Sequence, residues 1–364
     1  MMHESVASLS ITTTMNQSVN QSVNFPCELP YKEDRIPLMV LYIVVFVIGL
    51  PANLVTVYLT LYQVCHKNVF GIYLLSLSVC DLTYLFTLPV WAVYFNKHHE
   101  WPWSSAACKV TGYVFFNSMY ISIFLLCFIS IDRYVAVVYA VESRGHRHKR
   151  ITAFIAILVY VVVCLVHLPV FIMREGNVAK DSPRCFEPGQ STAIVTGFNY
   201  ARFCVGFCVP LGILIFTNRA ILANVQASTG LLPQQKEKVR YLAVAVVALF
   251  LVCFAPYHII LLIRAITYHF PKIQDECDFQ RSVYTSYKIS LGLSTLNSAV
   301  NPILYVLSSN NIRKEIRISM EALCNRMSRP STPSSQHNTH SSKNNSGPVP
   351  TKGDEGNATC PISC

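Results

Sequence analysis

The sequence predicts an all-α membrane protein, a seven-transmembrane helix bundle followed by a short amphipathic eighth helix. Of its 364 residues, 52% are hydrophobic and only 13% are charged, whereas a soluble domain carries about a quarter charged residues. Seven apolar runs, at about 38–62, 70–95, 109–138, 150–173, 193–222, 239–267 and 283–307, are each long enough for a helix to cross a hydrocarbon core, which takes about 20 residues. The connections between them are short, so they form one bundle. The expected organisation is an extracellular, glycosylated segment 1–37, the bundle 38–307, the amphipathic helix 308–325 and a disordered cytoplasmic tail 326–364.

The opening segment is polar and rich in Ser, Thr and Asn. It lacks the basic start and apolar stretch of a cleavable signal, so the first run is expected to act as its own. Basic residues mark the cytosolic ends of the runs: Arg144, Arg147, Lys149 and Arg150 follow the third, Arg219, Lys236, Lys238 and Arg240 flank the fifth and sixth, and Arg313, Lys314 and Arg317 follow the seventh. An odd number of runs then puts the amino terminus outside, in agreement with glycosylation sequons at Asn16 and Asn20. The net charge of +10 follows from this topology and from contact with anionic inner-leaflet lipid. No basic domain is present to hold nucleic acid.

Taken in order, the runs carry a small number of polar residues. The first contains Gly49-Leu50-Pro51-Ala52-Asn53, with Asn53 placed to bond across helices. The second places Asp81 alone among apolar residues, where a carboxylate needs a partner or a proton. The third ends in Asp132-Arg133-Tyr134, at a depth where a charge costs roughly 2.5 to 3.5 kcal/mol on insertion scales. The fourth is apolar around Val162 and has no tryptophan. The fifth holds Arg202, about 15 Å inside its start at 1.5 Å per residue, and Pro210. The sixth reads Phe250-Leu251-Val252-Cys253-Phe254-Ala255-Pro256-Tyr257, and Pro256 removes a backbone hydrogen bond and kinks it. Arg264 lies in its outer half. The seventh ends in Asn301-Pro302-Ile303-Leu304-Tyr305. Cys27, Cys108, Cys185 and Cys277 fall on outer, oxidising segments, and their even number suggests two disulfides. Cys324, after the amphipathic helix, is a palmitoylation candidate, whereas the terminal Cys360-Pro361-Ile362-Ser363-Cys364 is one residue out of register for prenylation.

These strings, over about residues 38–325, resemble the signatures of the rhodopsin-like (class A) G-protein-coupled receptors. Residues 134–145, 199–203 and 250–258 are similar in particular to its proton-sensing and oxidised fatty-acid receptor group. The resemblance implies a plasma-membrane receptor in which Asp132, Arg133 and Tyr134 couple to a heterotrimeric G protein. Phe250, Phe254, Pro256, Asn301, Pro302 and Tyr305 then form the activation switch, and the hydroxyl-rich tail recruits receptor kinases and arrestin. It also implies a disulfide between Cys108 and Cys185, which leaves Cys27 for Cys277. No cofactor is implied beyond a possible allosteric sodium ion at Asp81, Ser122, Asn297, Ser298 and Asn301; a protonated Asp81 held by polar groups of the seventh run is the alternative. Several positions depart from the pattern. Phe254 replaces a tryptophan, Asn218 replaces a tyrosine that helps hold Arg133 in the active state, and Lys236 replaces an acid that pins it at rest.

The ligand follows from the cations. Phe115 and Phe116 stand near the level where amine receptors keep an aspartate, so a small cationic amine has no counter-charge. Arg202 and Arg264 in the outer half of an aromatic bundle favour an anionic amphiphile, an oxidised free fatty acid or a lysophospholipid, with its chain among Phe115, Met119, Tyr257 and His258. Snorkelling to a headgroup is the alternative role for either arginine. Proton sensing is the competing mechanism, through His98, His99 and His269 near the outer face. It is ranked lower because the group's other buried acids are absent and Asp81 alone remains. A transporter would show repeats or paired interrupted helices lined with carboxylates, and the sequence has neither. It also lacks a nucleophile, base and acid set, so no enzyme is expected.

Overall fold

The structure, a computed structural model, describes residues 29, 33–65, 69–139, 148–172, 184–186, 192–230, 232–274 and 277–308. Among the described residues ten α-helices run in the order α1 (Arg35–Cys65), α2 (Phe70–Leu85), α3 (Leu88–Asn96), α4 (Ser105–Val138), α5 (Lys149–Val166), α6 (Ala193–Phe203), α7 (Val209–Ala227), α8 (Pro233–Thr267), α9 (Pro271–Gln274) and α10 (Cys277–Ser308). A 3₁₀ turn, Leu168–Phe171, extends α5, and a π turn, Cys204–Cys208, joins α6 to α7. Among the described residues there is no strand. Six spans are long and apolar enough to cross a membrane by length and composition. The 32-residue α10 is the seventh, made more polar by Asp278, Arg281, Lys288 and the Asn297-Ser298 pair.

Several helices extend beyond the predicted runs: the first run, 38–62, sits inside α1, α8 begins before the sixth, 239–267, and α7 continues past the fifth, 193–222, because polar turns continue the helix beyond its apolar stretch. The second run is two helices. Pro89 cannot donate to the preceding turn, so the chain breaks at Phe86–Thr87, and Thr87 Oγ1 donates to the Tyr84 carbonyl (2.8 Å for its backbone N–H, 2.7 Å for the hydroxyl). Ser104 and Thr192 cap α4 and α6 through their hydroxyls, each accepting an N–H at 3.3 Å.

The helix α4 is the axis of the bundle. Within its most apolar window 72% of residues are buried, against 28% in α1 and in α5, and it packs on α2, α5 and α7. The outer faces of α1 and α5 instead carry exposed Val44, Val47, Ile48, Ile157, Val161 and Leu165, the pattern of helices whose surroundings are lipid. Asn16, Asn20, Cys27, Cys324, the expected amphipathic helix beyond Ser308 and the tail lie outside the described residues.

Candidate functional site

In the last turn of α6, Arg202 lies with its guanidinium carbon 4.7 Å from the centroid of the Phe116 ring on α4. The groups acting most strongly on it are three tyrosines, Tyr257, Tyr120 and Tyr287, and it makes no ion pair with an acid among the described residues. The phenol of Tyr257 is fully buried beside it, and Arg202 is its hydrogen-bonding neighbour. Arg264 acts on the same phenol and sits 5.6 Å from the Tyr287 ring. The result is a polar seam in an aromatic wall, with two cations around a buried phenol. The π turn that follows Arg202 rotates the chain so that Gly206 and Phe207 face inward; such turns recur at functional positions. A side chain at Gly206 would meet the Tyr120 ring at 2.4 Å, so the missing Cβ is what lets Tyr120 reach His258 Nε2 (3.2 Å).

The predicted ligand-binding residues divide between two spaces. Tyr257 and His258 belong to the Arg202 seam, whereas Phe115 and Met119 line a small cavity with Tyr84, Ser122, Asn297 and Ser298. Phe115 also lines a separate outer cleft between α1, α3, α4 and α10, together with Phe116, Phe186, Tyr287 and Lys288. Lys288 was missed at the sequence level, although a lysine inside the seventh apolar run is itself the signal. The disulfide Cys108–Cys185 (S–S 2.03 Å) fixes the loop above this cleft. Cys277 is also disulfide-bonded; its expected partner lies outside the described residues.

In the middle of the bundle both oxygens of Asp81 are engaged. Ser122 (3.3 Å) and Ser298 (2.9 Å) donate to Oδ1, and Asn301 (2.8 Å) donates to Oδ2. Asn297 faces the adjoining cavity without bonding to the carboxylate. A carboxylate among hydroxyl and amide oxygens is the donor set a hard monovalent cation takes, so these residues fit sodium. Among the described residues no cluster of three His, Cys, Asp or Glu could hold another metal. Asn53 ties the first span to the seventh by donating to the Ser298 carbonyl at 2.8 Å. An aromatic series runs inward from the Arg202 seam: Phe207 stacks on His258 (5.1 Å between centroids) and on Phe250 (5.7 Å), which packs on the fully buried Phe254 (5.2 Å).

At the inner end Arg133 Nη2 is 3.9 Å from Asp132 Oδ2, and its guanidinium carbon lies 3.3 Å from the Phe70 ring centroid. Tyr134 turns away to Tyr139 and Phe216. Lys236 donates to the Gln226 carbonyl at 3.0 Å, and Asn218 to the Leu214 carbonyl at 2.8 Å. Between α2, α4, α7, α8 and α10 an apolar cavity of about 240 Å³ reaches Arg133 and Asn301. Pro302 lies inside the continuous helix α10, next to Asn301; the side chain of Tyr305 lies outside the described residues.

The outer histidines are not equivalent. His269 is exposed and stacks on Tyr200 (6.5 Å). His98 is exposed and meets Arg35 Nη1 at 2.9 Å. His99, expected at a solvated face, is fully buried, and its Nδ1 is 3.1 Å from the Tyr284 hydroxyl. Both His98 and His99 have positive φ, 56° and 62°, which tucks the turn after α3 back onto the bundle.

The family model of the seven-transmembrane receptors (rhodopsin family) matches residues 52–305. A mouse protein described as probable G-protein coupled receptor 132 is 46% identical over 311 residues, covering 84% of this chain and 80% of its own length. Its human counterpart is 42% identical over 307 residues (84% and 79%). Bovine G-protein coupled receptor 68 is 33% identical over 300 residues (82% and 80%).

Proposed function

The chain belongs to the rhodopsin family of seven-transmembrane, G-protein-coupled receptors, and from that premise we propose that it answers an extracellular anionic amphiphile, an oxidised free fatty acid or a lysophospholipid. The observation that carries this reading is the Arg202 guanidinium set against Phe116 in an aromatic wall, with no ion pair to an acid among the described residues. A carboxylate or phosphate satisfies that planar fork better than water or backbone does, and the buried Tyr257 hydroxyl beside it supplies a further donor. The receptor sits in the plasma membrane with its amino terminus outside. Agonist binding shifts the series His258, Phe207, Phe250 and Phe254, the kink at Pro256 amplifies the shift, and the inner cavity widens to admit a heterotrimeric G protein against Arg133. Receptor kinases and arrestin act on the tail. A sodium ion held at Asp81, Ser122, Ser298 and Asn301 would supply a fixed positive charge that holds the resting packing.

The test compares an acidic lipid with its methyl ester. Arg202→Ala removes a charge-assisted contact worth roughly 1.5 to 3 kcal/mol, so it raises the acid concentration needed for G-protein activation by about ten- to a hundredfold. Arg202→Lys recovers part of the loss, and the ester, weak on the unmutated receptor, loses little more. Equal losses for acid and ester make Arg202 a packing residue and overturn the reading.

Acid gating is the second reading, favoured by the Arg35–His98 contact. A guanidinium only donates, so the His98 nitrogen must accept, which requires the neutral ring; protonation then sets two cations against each other. The groups around the contact are Asn96, which accepts from Arg35 at 3.0 Å, the Glu33–Arg281 pair, and Asp34 with His99 and Lys288 acting on it.

A further inference from the structure

A single hydrogen bond joins α4, the axis of the bundle, to α8, the helix that carries Pro256. The Tyr120 hydroxyl and His258 Nε2 are 3.2 Å apart, and the two residues are 3% and 0% exposed. The other ring nitrogen fixes the direction of this bond. Nδ1 of His258 lies 2.8 Å from the Phe254 carbonyl, and a carbonyl only accepts, so Nδ1 carries the proton. In the neutral ring Nε2 is then the acceptor and Tyr120 the donor. A neutral imidazole has one donor and one acceptor, and here the first is spent inside α8 and the second across to α4.

The surroundings hold both partners in place. Tyr120 stacks on His167 at 5.1 Å between centroids and fills the notch left by Gly206, where a Cβ would lie 2.4 Å from its ring. His258 stacks on Phe207 at 5.1 Å, where the inward aromatic series begins. The backbones of α4 and α8 are not close neighbours, because α4 packs on α2, α5 and α7, so these long side chains span the gap. His258 is also two residues beyond Pro256, whose missing N–H weakens the helix at this level. Arg202 acts electrostatically on both partners, which puts the bond beside the Arg202 seam. Opening it leaves a buried donor and a buried acceptor unpaired. The intact bond therefore favours the packing seen here over any in which α8 turns away from α4.

We propose that the Tyr120–His258 hydrogen bond is a latch on the resting receptor, and that activation requires it to open as α8 turns about Pro256. The latch concerns how the receptor is held at rest and does not depend on which ligand occupies the Arg202 seam.

Agonist-free nucleotide exchange on a panel of heterotrimeric G proteins, with the full-length receptor in lipid nanodiscs, tests this. Tyr120→Phe removes the hydroxyl and keeps the ring, its stacking on His167 and its fit to Gly206. Basal exchange should rise about two- to tenfold, the equivalent of one net hydrogen bond. His258→Leu removes the acceptor and should raise basal exchange as well. In that background Tyr120→Phe should change nothing further, since the hydroxyl no longer has a partner. A purely packing role would lower the melting temperature of the variants and leave basal exchange per folded receptor unchanged, which overturns the latch. An equal rise from Tyr120→Phe in both backgrounds overturns it too, because the two residues then act independently. If Tyr120→Phe does not fold, His258→Leu alone decides: raised basal exchange supports the latch and an unchanged rate overturns it. Because no agonist is added, failure of the latch leaves the anionic-lipid reading standing, and acidic lipids that do not activate leave the latch standing.

Discussion

Arg133 illustrates how much a single residue's surroundings add to its motif. The Asp132-Arg133-Tyr134 string marks the coupling residue, yet the sequence leaves open what holds it, because Lys236 and Asn218 stand where an acid and a tyrosine would be expected. The Phe70 face, 3.3 Å from the guanidinium carbon, takes up part of that task. No local pattern links positions 70 and 133, so this contact was not legible before the helices were packed. Arg133→Ala should abolish G-protein activation at unchanged surface expression, read as nucleotide exchange in membranes. Phe70→Leu keeps the packing volume but removes a cation–π contact worth about 0.5 to 1 kcal/mol at a partly exposed site. Basal exchange should therefore rise about two- to fivefold, and an unchanged basal rate would assign Phe70 to packing alone. Asp81 was legible, since a lone mid-span carboxylate demands partners. The family resemblance already grouped Ser122, Asn297, Ser298 and Asn301 around it, and the fold added which oxygen Ser122, Ser298 and Asn301 hold and that Asn297 does not bond to it. Asp81→Asn keeps the shape of the site and removes the charge, so agonist affinity should lose its dependence on sodium when measured against a potassium or choline salt.

Helices follow from periodicity and length, and their interruptions follow from backbone chemistry that the sequence states less plainly. Pro89 is visible, and the break it enforces between α2 and α3 could have been read from it. The π turn at Cys204–Cys208 has no such marker, because its cause is tertiary: Gly206 must lie against Tyr120, and Phe207 must reach His258. The same reason explains why Phe115 and Met119, grouped with Tyr257 by their depth along the sequence, line a different cavity. Depth along a span is readable from residue number, whereas the direction a side chain faces depends on how each helix is rotated by its neighbours. Gly206→Ala puts a methyl group within 2.4 Å of the Tyr120 ring. That ring is buried and held by stacking on His167 (5.1 Å), so it cannot swing aside freely. Overpacking of this kind costs about 1 to 3 kcal/mol and should lower the melting temperature of the purified receptor. Adding Tyr120→Leu should recover part of the loss, a non-additivity expected only of touching residues.

At the scale of the whole molecule the outer rim is a ring of polar contacts that joins the first span to the turn after α3 and to the seventh span. Arg35 reaches His98 and Asn96, Thr285 donates to Asp34, and His99 meets Tyr284. Sequence reading placed the histidines on this face but treated them as solvated; the positive φ values that fold them back leave no signature in composition. Two of these groups respond to acid in opposite senses. Burial pushes the Asp34 carboxyl above its ordinary value of 3.8, against Thr285, His99 and Lys288, which act to lower it. Its folded form therefore favours the proton, and the stability it contributes is present at low pH and lost as pH rises through that elevated value. Acidification strengthens Asp34's place in the ring. The Arg35–His98 contact works the other way, because it needs a neutral ring. If protons gate the receptor by loosening this rim, the response belongs to Arg35 and His98. Arg35→Gln keeps a donor for neutral His98 and removes the charge that a protonated His98 would oppose. The variant should keep its lipid response and lose its acid response, measured as G-protein activation over a pH series. Asp34→Asn should leave the acid response that depends on Arg35 intact. A full acid response in Arg35→Gln would take the sensor away from this contact and leave the ring as a structural clasp on the outer end of the bundle.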